Sequence, residues 1–203
     1  MTNNPPKVYR TRRRVLQRCP VDDEIDDLAQ SYGWPVVYDA DRDFDRGRGR
    51  EVNWGVTSDS VLGYLESHIS NDCCLVGVGK DPGQAEEIIA RVEADLAGEI
   101  ESVDGLLAVL QDEDDPRLLA RGLVRAGFGA PREFDRVFFD AFAAAACHHP
   151  VYQVRDIAIS SMVYIEWPEF APLLERIKAE EPDEQVRARA TMVHSAYQAA
   201  GLS

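Results

Sequence analysis

Residues 168–201 carry the clearest helical pattern of the chain and read PEFAPLLERIKAEEPDEQVRARATMVHSAYQAAG. Apolar residues recur in its first half at spacings of three and four, which predicts one amphipathic helix. Pro182 interrupts that pattern, and Asp183 is a good N-cap for a second helix with its own apolar stripe. The two stripes consist of Phe170, Leu173, Leu174 and Ile177, and of Val186, Ala190, Val193 and Tyr197. Helices joined by so tight a turn lie antiparallel and need neighbours to bury both stripes.

The same helical periodicity extends back to Ser102 and predicts two further helix pairs. The second helix of each pair carries an Arg-x-x-Ala motif, which recurs at intervals of 38 and then 32 residues. These motifs are Arg117/Ala120, Arg155/Ala158 and Arg187/Ala190. Intervals of this size are typical of helical-hairpin repeats.

Over residues 102–200 the chain resembles the HEAT-repeat family of armadillo-like helical repeats. The resemblance is clearest at Pro172-Leu173-Leu174 and Pro182-Asp183, followed by Val186-Arg187 and Ala190. The middle unit keeps Val154-Arg155-Asp156, whereas the first lacks a valine before Arg117. The resemblance implies that the small alanine lets paired helices approach and that the arginine binds a neighbouring turn. Both roles are structural, so the resemblance implies no active site.

Upstream, residues 20–98 predict a small α/β or α+β domain with the order helix, strand, helix, strand, helix. Alternation at residues 52–56 predicts a strand, a helix is expected from Asp59, and the apolar run at residues 73–78 predicts a buried strand. Asp81 is expected to cap a helix that has Pro82 at its first position. The predicted fold class is therefore α+β, mostly α: this domain, then three HEAT-like helix pairs at 102–203. Residues 1–19 form a basic arm, read either as partly disordered or as a first strand or helix with a basic face.

The charge balance limits the partners. The chain has 22 basic and 36 acidic residues, a formal charge of −14. Because such a chain repels phosphate backbones and anionic lipids, we expect no nucleic-acid and no membrane partner, and a basic protein is favoured. Four cysteines without paired spacing (Cys19, Cys73, Cys74 and Cys147) favour buried free thiols and a reducing, cytoplasmic location.

Two motifs suggest chemistry, and both have simpler explanations. In Cys147-His148-His149, consecutive helical residues diverge by about 100°, so the three side chains do not face one metal ion. The segment from Gly77 to Gly83 follows a predicted strand and precedes a predicted helix, as a phosphate-binding loop would. Its glycine spacing fits neither the P-loop nor the dinucleotide-binding motif. We therefore predict no catalytic residues, no metal site and no cofactor.

A run of nine acidic residues without a basic one lies between Arg91 and Arg117. It fits a solvated junction between domains and, equally, a negative surface for a basic protein. The predicted protein-binding residues are Asp112, Glu113, Asp114 and Asp115, together with Tyr164 and Trp167 as aromatic anchors. Phe170, beside them, is expected in the core.

These observations favour a non-enzymatic protein-binding module. Its predicted form is an acidic inhibitor or immunity-type protein that neutralises a basic protein such as a nuclease toxin. Two alternatives stay open. One is an adaptor or scaffold protein, and the other is a small metal-dependent enzyme that uses the Cys147–His149 region.

Overall fold

The computed structural model describes residues 8–112 and 115–202, which form two compact units, Met1–Glu101 and Ser102–Ser203. The first unit is a β-sheet with two helices, and the second is entirely helical in its described part. The predicted α+β fold class, with helices predominating, is confirmed.

The first unit is built on one antiparallel sheet in the order β1-β6-β5-β4-β3, with β2 also paired to β6. Its strands are β1 Tyr9–Arg10, β2 Arg14–Val15, β3 Val36–Ala40, β4 Glu51–Thr57, β5 Ser60–Glu66 and β6 Cys73–Gly79. Its helices are α1 Asp22–Ser31 and α2 Pro82–Asp95. Residues 8–19, predicted as an arm or a first strand, thus contribute two short strands to one edge of the sheet.

The prediction of a helix from Asp59 is wrong, because residues 60–66 form β5, the strand between β4 and β6. Its even-numbered residues Leu62 and Tyr64 are fully buried. Val61 and Leu65, on the other face, are half-buried, so both faces are largely apolar. Burial on two faces removes the alternation that marks a strand, and the remaining apolar positions imitate helical spacing.

Helix α2 lies directly on the backbone of β6. A Cβ atom on Gly77 would stand 2.2 Å from the carbonyl oxygen of Ala85, so only glycine allows this approach. The helix begins as predicted: Asp81 accepts a hydrogen bond from Gln84 N at 2.9 Å, and Pro82 is the first helical residue. The glycines of residues 77–83 therefore serve packing and a turn.

The second unit contains three successive helix pairs. They are α3 Val103–Asp112 with α4 Pro116–Gly129, α5 Arg136–His148 with α6 Tyr152–Ile165, and α7 Phe170–Glu180 with α8 Glu184–Ala199. The second helices pack against one another in the order α4, α6, α8. The contact between α6 and α8 includes a hydrogen bond from the Tyr197 hydroxyl to the Met162 carbonyl oxygen at 2.7 Å.

Local capping fixes where these helices begin. Asp183 accepts hydrogen bonds from Gln185 N and Val186 N at 2.9 and 3.1 Å, as its sequence position predicts. Helix α5 begins at Arg136, because Asp135 provides the cap by accepting a hydrogen bond from Phe138 N at 2.9 Å. Within the described residues, no helix is long and apolar enough to cross a membrane.

Candidate functional site

The predicted acidic surface is described only in part. Glu113, Asp114 and the side chain of Asp112 lie outside the described residues. Asp115 is exposed and caps α4, accepting a hydrogen bond from Arg117 N at 2.8 Å. Three acids of the same run contact side chains of the first unit: Glu93 pairs with Arg14, Glu99 pairs with Arg18, and Asp95 accepts from Tyr32. The run is therefore not a uniformly free negative surface.

Trp167, predicted to be an exposed anchor, is instead a core residue with 2 % of its surface exposed. Its indole N–H donates to the carbonyl oxygens of Pro131 and Arg132, both at 3.2 Å. Its ring is stacked on Phe170, which is fully buried as expected. Tyr164 is half-buried and meets Phe128 edge to face, so it keeps some accessible surface.

The Cys147-His148-His149 segment does not gather ligands. His149 Nδ1 accepts from Val151 N at 3.1 Å and so closes the turn before α6. Cys147 lies near Arg176 on α7, with 3.6 Å between Sγ and the guanidinium. Among the described residues, these three side chains form no metal-ligating cluster.

Two equivalent arginines hold the turns of the helical unit. Arg155 donates to the carbonyl oxygen of His149 at 2.8 Å, and Arg187 donates to those of Glu181 and Pro182, both at 2.7 Å. Arg155 also pairs with the Glu181 carboxylate at 2.8 Å, and these two side chains are 12 % and 6 % exposed. Arg155 therefore links the turn before α6 to the turn before α8.

Strand β3 presents an apolar surface at the edge of the sheet, which we call the β3 patch. It consists of Val36, Val37 and Tyr38, which are 48 %, 58 % and 49 % exposed. A register irregularity between Val36 and Tyr38 lets three consecutive side chains reach solvent. Edge strands usually carry charges that discourage association; β3 carries one, Asp39, which follows the patch and pairs with Arg50 at 3.0 Å.

The acidic helix α1 contacts residues close to the β3 patch. Asp22, at the start of α1, pairs with Arg42, two residues beyond β3, at 3.0 Å. Asp26, in the middle of α1, accepts from the indole of Trp54, which is the partner of Val36 in β4. The sequence of α1 contains five acidic residues and no basic one. The β3 patch thus lies near an acidic helix, one of whose carboxylates, that of Asp22, is paired with Arg42 and Arg50.

The expectation of free thiols is wrong for two of the four cysteines, because Cys19 and Cys73 form a disulfide. Their Cα atoms are 5.5 Å apart, an ordinary separation for a bridge, although 54 residues separate them in sequence. Cys74 and Cys147 are free thiols. The cytoplasmic location inferred from the cysteines loses that support.

A buried polar cluster surrounds this bridge. The side chain of Glu66 is 6 % exposed. It accepts hydrogen bonds from Arg42 Nε at 2.7 Å and from the Tyr64 hydroxyl at 3.0 Å. The Tyr64 hydroxyl is also 3.0 Å from Cys73 Sγ. Arg50 contacts Asp22 at 2.8 Å and completes the cluster. Burial, together with the negative charge of Glu66, raises the pKa of Tyr64, so its hydroxyl stays protonated and able to donate.

Cys74, adjacent to the bridge in sequence, belongs to the opposite face of the sheet because side chains alternate along β6. It is almost completely buried, and burial raises the pKa of its thiol to about 12. Cys74 is therefore an inert thiol beside a bridged one, which makes it a natural control for experiments on Cys73.

Comparison of the chain with protein-family models, with curated proteins and with solved structures gave no match.

The sequence interpretation missed the β3 patch and the polar cluster. The alternation of Asp and Arg over residues 39–50 was the available signal for the cluster, because it supplies Arg42 and Arg50. Nothing local marks Glu66 and Cys73 as neighbours, since their contact depends on the register of β5 and β6.

The Cys19–Cys73 bridge is expected to stabilise the first unit. Because it closes a loop of 54 residues, replacing Cys19 by serine should lower the free energy of unfolding by about 2–4 kcal/mol. Urea denaturation of the oxidised protein, followed by Trp fluorescence, measures this loss. Cys147→Ser, which breaks no bridge, should stay within about 0.5 kcal/mol of the natural protein. Equal stability of the two variants would contradict the bridge.

Proposed function

We propose that the chain is a non-enzymatic protein-binding module for a basic protein, with the β3 patch at the centre of the contact. The observation that carries this proposal is the exposure of three consecutive apolar side chains, Val36, Val37 and Tyr38, on an edge strand. Apolar side chains exposed side by side mark interaction sites in soluble proteins, whereas single ones do not.

The charge around the β3 patch supports a basic partner. Helix α1 and the formal charge of −14 attract a positively charged protein and raise its association rate. The patch then supplies the apolar contact that slows dissociation, with Tyr38 as its aromatic anchor, because buried tyrosines are among the side chains that dominate binding energy. The acidic composition favours one version of this proposal, in which the partner is a toxin such as a nuclease and the chain is its immunity-type inhibitor.

The resemblance of the second unit to HEAT repeats is part of the proposal. It is supported by Arg155 and Arg187, each of which binds carbonyl oxygens of the turn before its own helix. Ala158 and Ala190, three residues further on, are fully buried. Stacked helix pairs of this kind form stable surfaces for other proteins.

An adaptor is the second candidate, since the helical unit has a groove of its own. The groove lies between α6 and α8, has a volume of about 640 Å³ and is lined by exposed Tyr152 and Met192. A protein bound there and another at the β3 patch would be held by one chain.

The test compares the patch with a matched apolar site. Protein captured from native extract by the immobilised chain is identified, purified and measured against Val37→Asp and against Met192→Ser. Met192 is 55 % exposed on α8, so its replacement removes similar apolar surface from the other unit. We expect Val37→Asp to weaken binding at least about tenfold, a loss of about 1.4 kcal/mol, and Met192→Ser to leave it unchanged.

Charge is tested separately. Replacing Asp23 and Asp27 on α1 by asparagine should slow association without a matching change in dissociation, and added salt should reduce the difference. The same measurement on a variant with residues 112–115 neutralised tests the second acidic surface. An acidic partner, or one that binds the Val37→Asp variant as tightly as the natural chain, would contradict the proposal. Loss of binding only in Met192→Ser would favour the adaptor.

A further inference from the structure

We propose that Cys19, Glu66 and Cys73 form a zinc-binding site when the Cys19–Cys73 bridge is reduced. The two Sγ atoms and a carboxylate oxygen of Glu66 all lie within 4.8 Å of one another. With Zn–S distances near 2.3 Å and Zn–O distances near 2.1 Å, the two sulfurs and the oxygen of a tetrahedral site are roughly 3.6–3.8 Å apart. Small side-chain rotations after reduction bring the three groups to that spacing. The inference does not rest on the proposed function.

The fold itself brings these ligands together. Glu66 is the last residue of β5 and stands directly opposite Cys73, the first residue of β6. Directly opposite residues of antiparallel strands project to the same face with Cβ atoms about 5 Å apart. Cys19 reaches the same point from the segment that leads into α1. Two ligands are therefore fixed by the sheet, and the third is on a connecting segment that can adjust.

The charges of the cluster favour a divalent cation in the reduced state. With the bridge closed, the carboxylates of Glu66 and Asp22 are balanced by Arg42 and Arg50, which contact them. Two thiolates would add two negative charges to this poorly solvated region. One Zn²⁺ restores the balance and offsets the cost of burying those thiolates.

Outer contacts are already in place for such a site. Arg42 holds both oxygens of Glu66, at 2.5 and 2.7 Å, and the Tyr64 hydroxyl lies within 3.0 Å of both Glu66 and Cys73 Sγ. Hydrogen bonds of this kind orient metal ligands and stabilise their charged forms. Thiolates select zinc over magnesium and calcium, which prefer oxygen ligands alone. Three protein ligands leave a fourth position for water or another molecule.

Zinc binding at this site requires two steps, reduction of the bridge and coordination of the metal. A dithiol reductant transfers two electrons and two protons to the Cys19–Cys73 bridge, giving two thiols, and itself becomes a disulfide. Zn²⁺ then displaces one proton from each thiol, so two protons leave as two Zn–S bonds form. Cys19 is half-buried beside the exposed Pro20, which gives both the reductant and the metal a route of entry.

The experiment uses the full chain, reduced with a dithiol, desalted without oxygen and titrated with zinc chloride by calorimetry. We expect one zinc per chain in the reduced protein, none in the oxidised protein, and no competition from magnesium. Cobalt should give thiolate-to-metal charge-transfer absorption in the reduced protein. Cys19→Ser and Cys73→Ser should weaken zinc binding by more than ~100-fold, and Glu66→Gln by ~10–100-fold.

Cys74→Ser and Cys147→Ser are the matched controls and should bind zinc as the natural chain does. Because Cys19→Ser and the reduced natural chain lack the same cross-link, loss of folding does not explain a difference between them. Circular dichroism of the reduced chain checks that it is folded. The proposal is overturned if the reduced chain unfolds, if it binds no more zinc than Cys19→Ser, or if Glu66→Gln binds as tightly as the natural chain. Zinc lost on Cys147→Ser would place the metal elsewhere and overturn it as well.

Discussion

Replacing Arg155 by methionine is expected to lower the free energy of unfolding by about 3–5 kcal/mol. The substitution leaves the carboxylate of Glu181, 6 % exposed, without its cation, and a buried charge without a partner is strongly unfavourable. It also removes the donor that Arg155 supplies to the carbonyl oxygens of His149 and Pro150. Denaturation in urea, followed by the helical circular dichroism signal, measures the loss.

Two further variants separate the charge from the turn contacts. The double variant Arg155→Met/Glu181→Gln should recover part of the loss, since a glutamine still accepts from Asp183 N but carries no charge. Lys178→Met is the control, because its partner Glu175 is 58 % exposed and such pairs contribute about 0–1 kcal/mol. If Arg155→Met lowers the free energy of unfolding no more than Lys178→Met does, the link between the two turns is not important for stability.

The sequence predicted what depends on near neighbours. Asp81 and Asp183 cap the helices assigned to them, because a cap involves only residues two or three positions away. The resemblance to HEAT repeats implied that these arginines bind a neighbouring turn, and Arg155 and Arg187 both donate to turn carbonyl oxygens. Arg155 also contacts the Glu181 carboxylate. The two residues are 26 positions apart in sequence, so no local pattern predicts this contact.

What the sequence did not predict depends on the order of the strands. Val36, Val37 and Tyr38 are exposed in β3, but the same residues would be buried in a central strand. Their exposure follows from the position of β3 at the end of the sheet. Cys19 and Cys73 meet for a similar reason, since β6 and the segment before α1 come together only in the folded unit. Trp167 was misjudged because a turn position suggests exposure, while its contacts with residues 131 and 132 cover it.

Replacing Trp167 by alanine is expected to lower the free energy of unfolding by about 3–5 kcal/mol. The ring is buried against Phe134, Phe138 and Phe170, so its removal leaves a cavity in a closely packed core. Trp167→Phe keeps most of the apolar contact but loses the N–H donor. We therefore expect it to lower the free energy of unfolding by about 1–2 kcal/mol. Denaturation of both variants in urea gives these values.

Val163→Ala is the control for this pair of variants, since Val163 is 41 % exposed on the neighbouring helix α6 and should change stability by less than about 0.5 kcal/mol. If Trp167 were the exposed anchor that its sequence position suggested, Trp167→Ala would weaken partner binding and leave stability near that of the control. A large loss of stability with unchanged affinity is the expected result.

The close contact between α2 and β6 has a consequence for the evolution of this chain. Gly77 stands against main-chain atoms of Ala85, and no change of a neighbouring side chain can make room for a Cβ there. Surface acids can be exchanged one at a time, whereas this glycine can change only if the helix moves with it. Distant homologues should therefore keep a glycine at this position after their charges and partners have diverged. A search for relatives is better guided by that glycine and by the capping aspartate four residues after it than by the acidic composition.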